Sequence, residues 1–220
     1  MTCPLPPKVR FTTRGLLILP VDAAHARALL AHEWSWFLER HAPGRSLRPV
    51  AVTVFGDWFL EDRATKIVWF FDVGVGLLKQ AAPTRAALAV ALRDPKSRQS
   101  WCLEGQLRQL LARGVELEEG QCFSWRVAPC AGGRVDADNF APADLDLHQR
   151  VSSRMVWHLG DLPAGTQVTE EMVRKIFDEL DEPLPGQAPV EAVAAPRLGL
   201  PLGGIAAGIA LMAALLGFVL

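Results

Sequence analysis

The chain has 220 residues, 50% of them in the apolar set and 21% charged, with 23 Lys and Arg against 24 Asp and Glu. A formal charge of -1 and a pI near 6.5 exclude a polyanion binder that works by bulk basicity, and the apolar half excludes a disordered chain. A mean hydropathy of +0.17 points to apolar material outside an ordinary core, and the absence of Tyr removes any phenol from the chemistry.

Lys8, Arg10 and Arg14 precede a short apolar run that Pro20 ends. That run is at the lower length limit for a signal peptide and reads instead as a buried strand over 16–19. From residue 22 to 41, Leu30, Trp34, Phe37 and Leu38 recur at helical spacing, and Pro43 and Gly44 stop the helix. Residues 49–55 alternate as a strand, with a second short strand at 58–60 and a turn over 61–65. The unbroken apolar run at 67–71 predicts a strand covered on both faces. Pro83 opens a helix that continues to Leu92, and Leu103, Leu107, Leu110 and Leu111 mark another. Residues 122–127 form a returning strand with Phe123, Trp125 and Val127 on one side. Asp144 caps a helix whose face carries His148, Val151, Met155 and Leu159, and Thr169 caps one bearing Val173, Phe177 and Leu180. The acidic run 178–182 is a solvated face. Strands come early, helices follow and a strand returns, which predicts an α+β fold: a small, mainly antiparallel sheet with packed helices.

Five prolines between 183 and 201 make a semi-rigid spacer. Residues 198–220 carry no charged or polar side chain. A helix over 202–220 would rise roughly 28 Å, close to the ~30 Å hydrocarbon core, and predicts a single-pass C-terminal transmembrane anchor. Gly204 and Gly208 form a GxxxG step that would let two such helices approach closely as a homodimer. Arg197 lies just before the span, which places the large domain on the cytoplasmic side.

Chemistry is harder to find. Cys122, Cys130, His148 and His158 do not have zinc-motif spacing, and none of the four cysteines lies in a CxxC pair, which fits a reducing compartment. Cys122 or Cys130 with His148 as base is the one nucleophilic pairing available, and buried, inert cysteines are the commoner outcome. Asp57, Glu61, Asp62 and Asp72 are acids next to predicted strands and read first as turn formers. The glycines at 74, 76, 132 and 133 lack the lysine and helix of a phosphate cradle. Trp58, beside Asp57, is the one tryptophan expected at the surface. No cofactor, metal or nucleic-acid site is assembled by these patterns.

One ordered set of motifs does stand out. Phe55, Gly56, Asp57 and Phe59, followed by Asp62, resemble the F-G-D-x-F…D opening of the C-terminal domain of type VI secretion immunity proteins. The order continues with Asp72, Gly76, Trp101 to Leu103 opening a helix, and Gly120, Cys122 and Phe123, with Phe where the family has Tyr. Pro129, Gly132 and Gly133 follow, with Ala131 in place of Leu, then Asn139, His148 and Asp161, Leu162, Pro163 and Gly165. This family is best known from proteins that protect against a DNase toxin, and its members often carry a GAD-like N-terminal region. About 50 residues precede the resemblance here, so that region is expected to be shortened or diverged.

The resemblance implies a non-enzymatic bacterial protein that binds and neutralises a cognate toxin; the proline-rich spacer and apolar C-terminal span, an addition to the family's pattern, predict that it is tethered to the inner membrane. The expected organisation is an N-terminal helix and strand region over 1–53, an immunity-type domain over 54–182, the linker over 183–201 and the membrane helix over 202–220. Asp57, Trp58, Glu61 and Asp62 are the expected partner contacts, and Gly204 and Gly208 the expected membrane packing positions. A membrane-anchored sensor or assembly subunit, and a Cys-dependent enzyme, are the alternatives.

Overall fold

The computed structural model describes residues 21–163, 166–180 and 182–184. The strand expected at 16–19, nearly all of the proline-rich linker, and the span 202–220 with Gly204 and Gly208 lie outside the described residues. Among the described residues no helix is long and apolar enough to cross a membrane. The chain divides into two compact units between Val168 and Thr169.

In the first unit, helix α1 (Ala23–His41) starts where the Asp22 carboxylate accepts from the Ala24 and His25 backbone N–H groups. It buries Leu30, Trp34 and Phe37 as the periodicity predicted, together with Trp36 and Glu33. Four strands follow, β1 (Leu47–Val52), β2 (Trp58–Asp62), β3 (Val68–Asp72) and β4 (Leu77–Ala82), forming an antiparallel sheet in sequence order. Strand β1 begins earlier and ends earlier than expected, because Thr53 to Asp57 fold into a turn closed by Thr53 N–H donating to the Asp57 carbonyl at 2.7 Å. Strand β4 is absent from the sequence reading, since its mixed residues alternate too weakly to register. Because β1 pairs with β2, residues on both sides of position 53 share one sheet.

Both faces of the sheet are covered, which explains why all five residues of β2 are buried. On one face Phe71 packs edge-on to Trp34 and stacks on Phe37 of α1. On the other, Phe59 meets Phe70 and Trp101. Trp101 belongs to α3 (Pro95–Cys102), which follows α2 (Arg85–Ala91) and precedes α4 (Glu104–Ala112). Leu103 does not open a helix within a continuous turn: its φ of 44° puts it in the left-handed region, where it breaks the chain between α3 and α4.

A second, two-stranded sheet joins β5 (Gln121–Trp125) to β6 (Phe140–Asp144). The Phe123 N–H donates to the Val54 carbonyl at 2.8 Å, and Phe55 packs on Phe123 and Phe140. Helix α5 (Leu145–Leu159) is capped by Asp144 as predicted, its carboxylate accepting from Leu147 N–H at 2.9 Å. Val127 falls beyond the end of β5 and is exposed rather than sharing a buried side with Phe123.

The second unit contains helix α6 (Glu170–Asp178), capped by the Thr169 hydroxyl as the sequence indicated. Glu170 and Arg174 make an i,i+4 pair at 3.0 Å, and Ile176 is buried.

Candidate functional site

The four expected contact residues are buried. Trp58 has 0% exposure, Asp62 2%, Glu61 4% and Asp57 8%. The expectation that Trp58 is a surface anchor is corrected: β2 is an inner strand covered on both faces, and its indole is bonded inside the core. Gln149 of α5 makes that bond. Its Oε1 accepts from Trp58 Nε1 at 2.8 Å and from Trp34 Nε1 at 2.7 Å, while its Nε2 donates to the Gly56 carbonyl at 2.6 Å. One amide therefore satisfies two indoles and the tip of the 53–57 turn. Gly56 has φ +86°, and a Cβ there would overlap the His148 ring. The F-G-D motif is thus a turn pressed onto α5, and its glycine is required by the fold.

The acids divide into two kinds. Asp57 Oδ1 accepts from Val73 N–H at 3.0 Å, and Asp72 Oδ1 accepts from Gly74 N–H at 3.0 Å. Burial pushes the Asp57 carboxyl well up, and the neighbouring Asp72 charge pushes it further; burial raises Asp72 as well. Glu61 and Asp62 behave oppositely. Glu61 is held down by hydrogen bonds from Arg48 at 2.8 Å and from Arg85. Asp62 is held down chiefly by the Ala64 backbone N–H, with Arg45 adding a bond at 3.0 Å.

The nucleophile pairing is not assembled. His148 Nδ1 bonds the Ser124 hydroxyl at 2.8 Å, and burial lowers its pKa to about 4. Burial pushes the Cys102 thiol up to about 12, the half-buried Cys130 to about 11, and Cys122 well above its ordinary value. Such thiols are not thiolates at neutral pH. Among the described residues no group of His, Cys, Asp and Glu could hold a metal ion.

One ordered feature at the surface is the loop between β5 and β6. Asn139 fixes it with three bonds: Oδ1 accepts from Val127 N–H, and Nδ2 donates to the Val127 and Arg134 carbonyls, all within 2.8–2.9 Å. Gly133 lies so close that a Cβ would overlap the Val127 carbonyl, and Gly132 has φ +90°. Two short 3-10 turns, Pro129–Ala131 and Ala137–Asn139, complete the loop. The clamp leaves Val127 and Val135 exposed, the latter at 51%, beside an exposed Arg134. Sequence reasoning noted Asn139, Gly132 and Gly133 as motif positions without seeing that they hold one loop. Spacing carries no sign that a side chain at 139 reaches back to 127 and 134.

The motif residues therefore hold turns, a buried amide cluster and one ordered surface loop. Residues 83–156, about a third of the chain and running from the start of α2 through most of α5, match the family model described as T6SS immunity protein Tdi1, C-terminal. The resemblance drawn from the motifs is borne out over that span, which contains the clamped loop. Comparison with curated proteins gives no match. A solved structure, that of Atu4351 from Agrobacterium tumefaciens, is similar over 60% of this chain at 11% identity and a TM-score of 0.38. The similarity covers 64% of that protein's chain, less than two thirds of its length.

Proposed function

We propose that this chain is an immunity-type protein that binds and occludes a cognate bacterial toxin, without catalysis of its own. The match of residues 83–156 to the type VI secretion immunity model carries this reading. The clamped loop is the proposed contact, with Val127 and Val135 as apolar anchors and Arg134 as a polar one. The apolar span 198–220 supports a further part of the proposal: the protein is tethered to the inner membrane with its folded units on the cytoplasmic side. Tethering would raise the local concentration of the protein where an injected toxin enters.

The test is affinity purification of the tagged full chain, solubilised in detergent from its native host, with mass spectrometry of stoichiometric partners. A co-purifying protein that is lethal when this chain is deleted supports the reading. A homodimer without a partner, recovered while secretion genes are expressed, overturns it in favour of a sensor or assembly subunit.

A further inference from the structure

A groove of about 480 Å³ runs between α1 and strand β1, N-terminal to the span that matches the family model. Strand β1 is an edge of the four-stranded sheet, half-buried where its neighbour β2 is wholly buried. Four arginines line the groove, Arg27, Arg45, Arg48 and Arg63, against one carboxylate, Glu39. In a chain of net charge -1 this is a local concentration of positive charge.

The arginines are of two sorts. Arg45 and Arg48 are anchored from behind by the buried carboxylates of Asp62 and Glu61, at 3.0 and 2.8 Å, yet keep 38% and 40% of their side chains exposed. Arg45 also stacks over the Trp69 ring, 4.8 Å from its centroid. A guanidinium has five donors, so each retains donors for an outside acceptor. Arg27 and Arg63 are exposed and form no ion pair among the described residues.

We infer that this groove docks an extended, carboxylate-rich segment of the partner protein, laid along the edge of β1 that no strand among the described residues pairs with. The inference rests on the immunity reading for the partner's identity and adds a second contact, apart from the clamped loop, with its chemistry. Two features favour a protein segment over nucleic acid. The groove wall is apolar as well as basic, with Leu38 and Leu47 among its lining residues, which suits a strand alternating acidic and aliphatic side chains. An edge strand also offers backbone hydrogen bonds that only another polypeptide matches in register. Pro49 and the register shift after it interrupt that edge, which limits indiscriminate pairing.

The experiment uses the detergent-solubilised full chain and a fluorescein-labelled peptide of alternating Glu and Val, roughly ten residues long, read by fluorescence anisotropy. The Lys-Val counterpart, duplex DNA and phosphatidylglycerol vesicles are the comparison probes. The acidic peptide is expected to bind, the basic one not, and the affinity to fall with ionic strength. The double variant R27E/R63E, which removes no internal ion pair, is expected to weaken binding about tenfold, while K96E, on α3, leaves it unchanged. An acidic peptide that does not bind, equal binding by the double variant, or preferential binding of DNA or vesicles overturns the inference. A toxin that co-purifies equally with wild type and R27E/R63E overturns the groove and leaves the immunity reading standing. Peptide binding at the groove with no toxin recovered does the reverse.

Discussion

The two ends of strand β2 carry acids that look alike in sequence and live in opposite electrostatic surroundings. Just before its start, Asp57 faces Asp72 with the Val73 N–H and the Lys79 charge as relief, and burial favours the protonated carboxyl. At the end, Glu61 and Asp62 expose little surface but lie shallow in the fold, where three arginines reach them, and both are held ionised. The first end is built for packing against α5, the second for holding guanidiniums outward into the groove. Depth of burial and the donors that reach an acid together decide what it does.

Breaking the packed end has the largest expected effect. Gly56→Ala forces a Cβ into the His148 ring at φ +86°, which combines left-handed strain with overpacking and is expected to cost about 2–5 kcal/mol. The midpoint of urea unfolding measures it, and a shift equal to that of an exposed glycine such as Gly114→Ala would contradict the account. Gln149→Leu comes next. It leaves two indole N–H groups and the Gly56 carbonyl without partners, an expected loss of about 2–4 kcal/mol. Loss of the near-ultraviolet circular dichroism of the tryptophans should accompany it.

Asp57→Asn sharpens the contrast in the opposite direction, by stabilising. The raised Asp57 pKa means that the native state holds its proton more tightly than the unfolded chain does. Stability from this group is therefore full below about pH 3.8, the ordinary Asp value, and declines as pH rises toward the native value. His148 runs the other way. Its native pKa of about 4 lies below the ordinary 6.5, so acidification through that window costs stability, on the order of 3 kcal/mol. Asn at 57 can still accept from Val73 N–H and removes the repulsion with Asp72. The variant should melt at least about 2 °C higher at pH 7, and its stability should rise more steeply from pH 4 to 7. Parallel pH curves for variant and wild type would show that Asp57 does not titrate as argued.

These residues also show what a sequence discloses. The helix over 22–41, the Asp144 and Thr169 caps and the doubly covered strand near 67–71 follow from local rules, because periodicity and capping act within a few residues. The Gln149 amide joins residues 115 and 91 positions away, and no local pattern marks it. Trp58 was expected outside for the same reason: its polar neighbours suggest a turn, while its partner lies on a distant helix. The groove arginines are separated by up to 36 positions between Arg27 and Arg63, and only the fold brings them to one wall.

The smallest expected effect on stability is the one that tests the arginine-bearing end most directly. Glu61→Gln keeps the shape of the side chain but removes the charge that holds Arg48 and Arg85. Both guanidiniums remain partly in solvent, so screening limits the cost at neutral pH to within about 1 kcal/mol. The lowered Glu61 pKa works with the usual carboxylate sign: its contribution is present above about pH 4.5 and is lost as pH falls through the native value. The variant should therefore match wild type closely at pH 7 and lose less stability than wild type on acidification below pH 4.5. Its affinity for the acidic peptide should nevertheless fall, because Arg48 no longer has a fixed position from which to donate. A loss of stability as large as that of Gln149→Leu, with peptide binding intact, would place Glu61 with Asp57 as a packing acid and erase the distinction between the two ends of the strand.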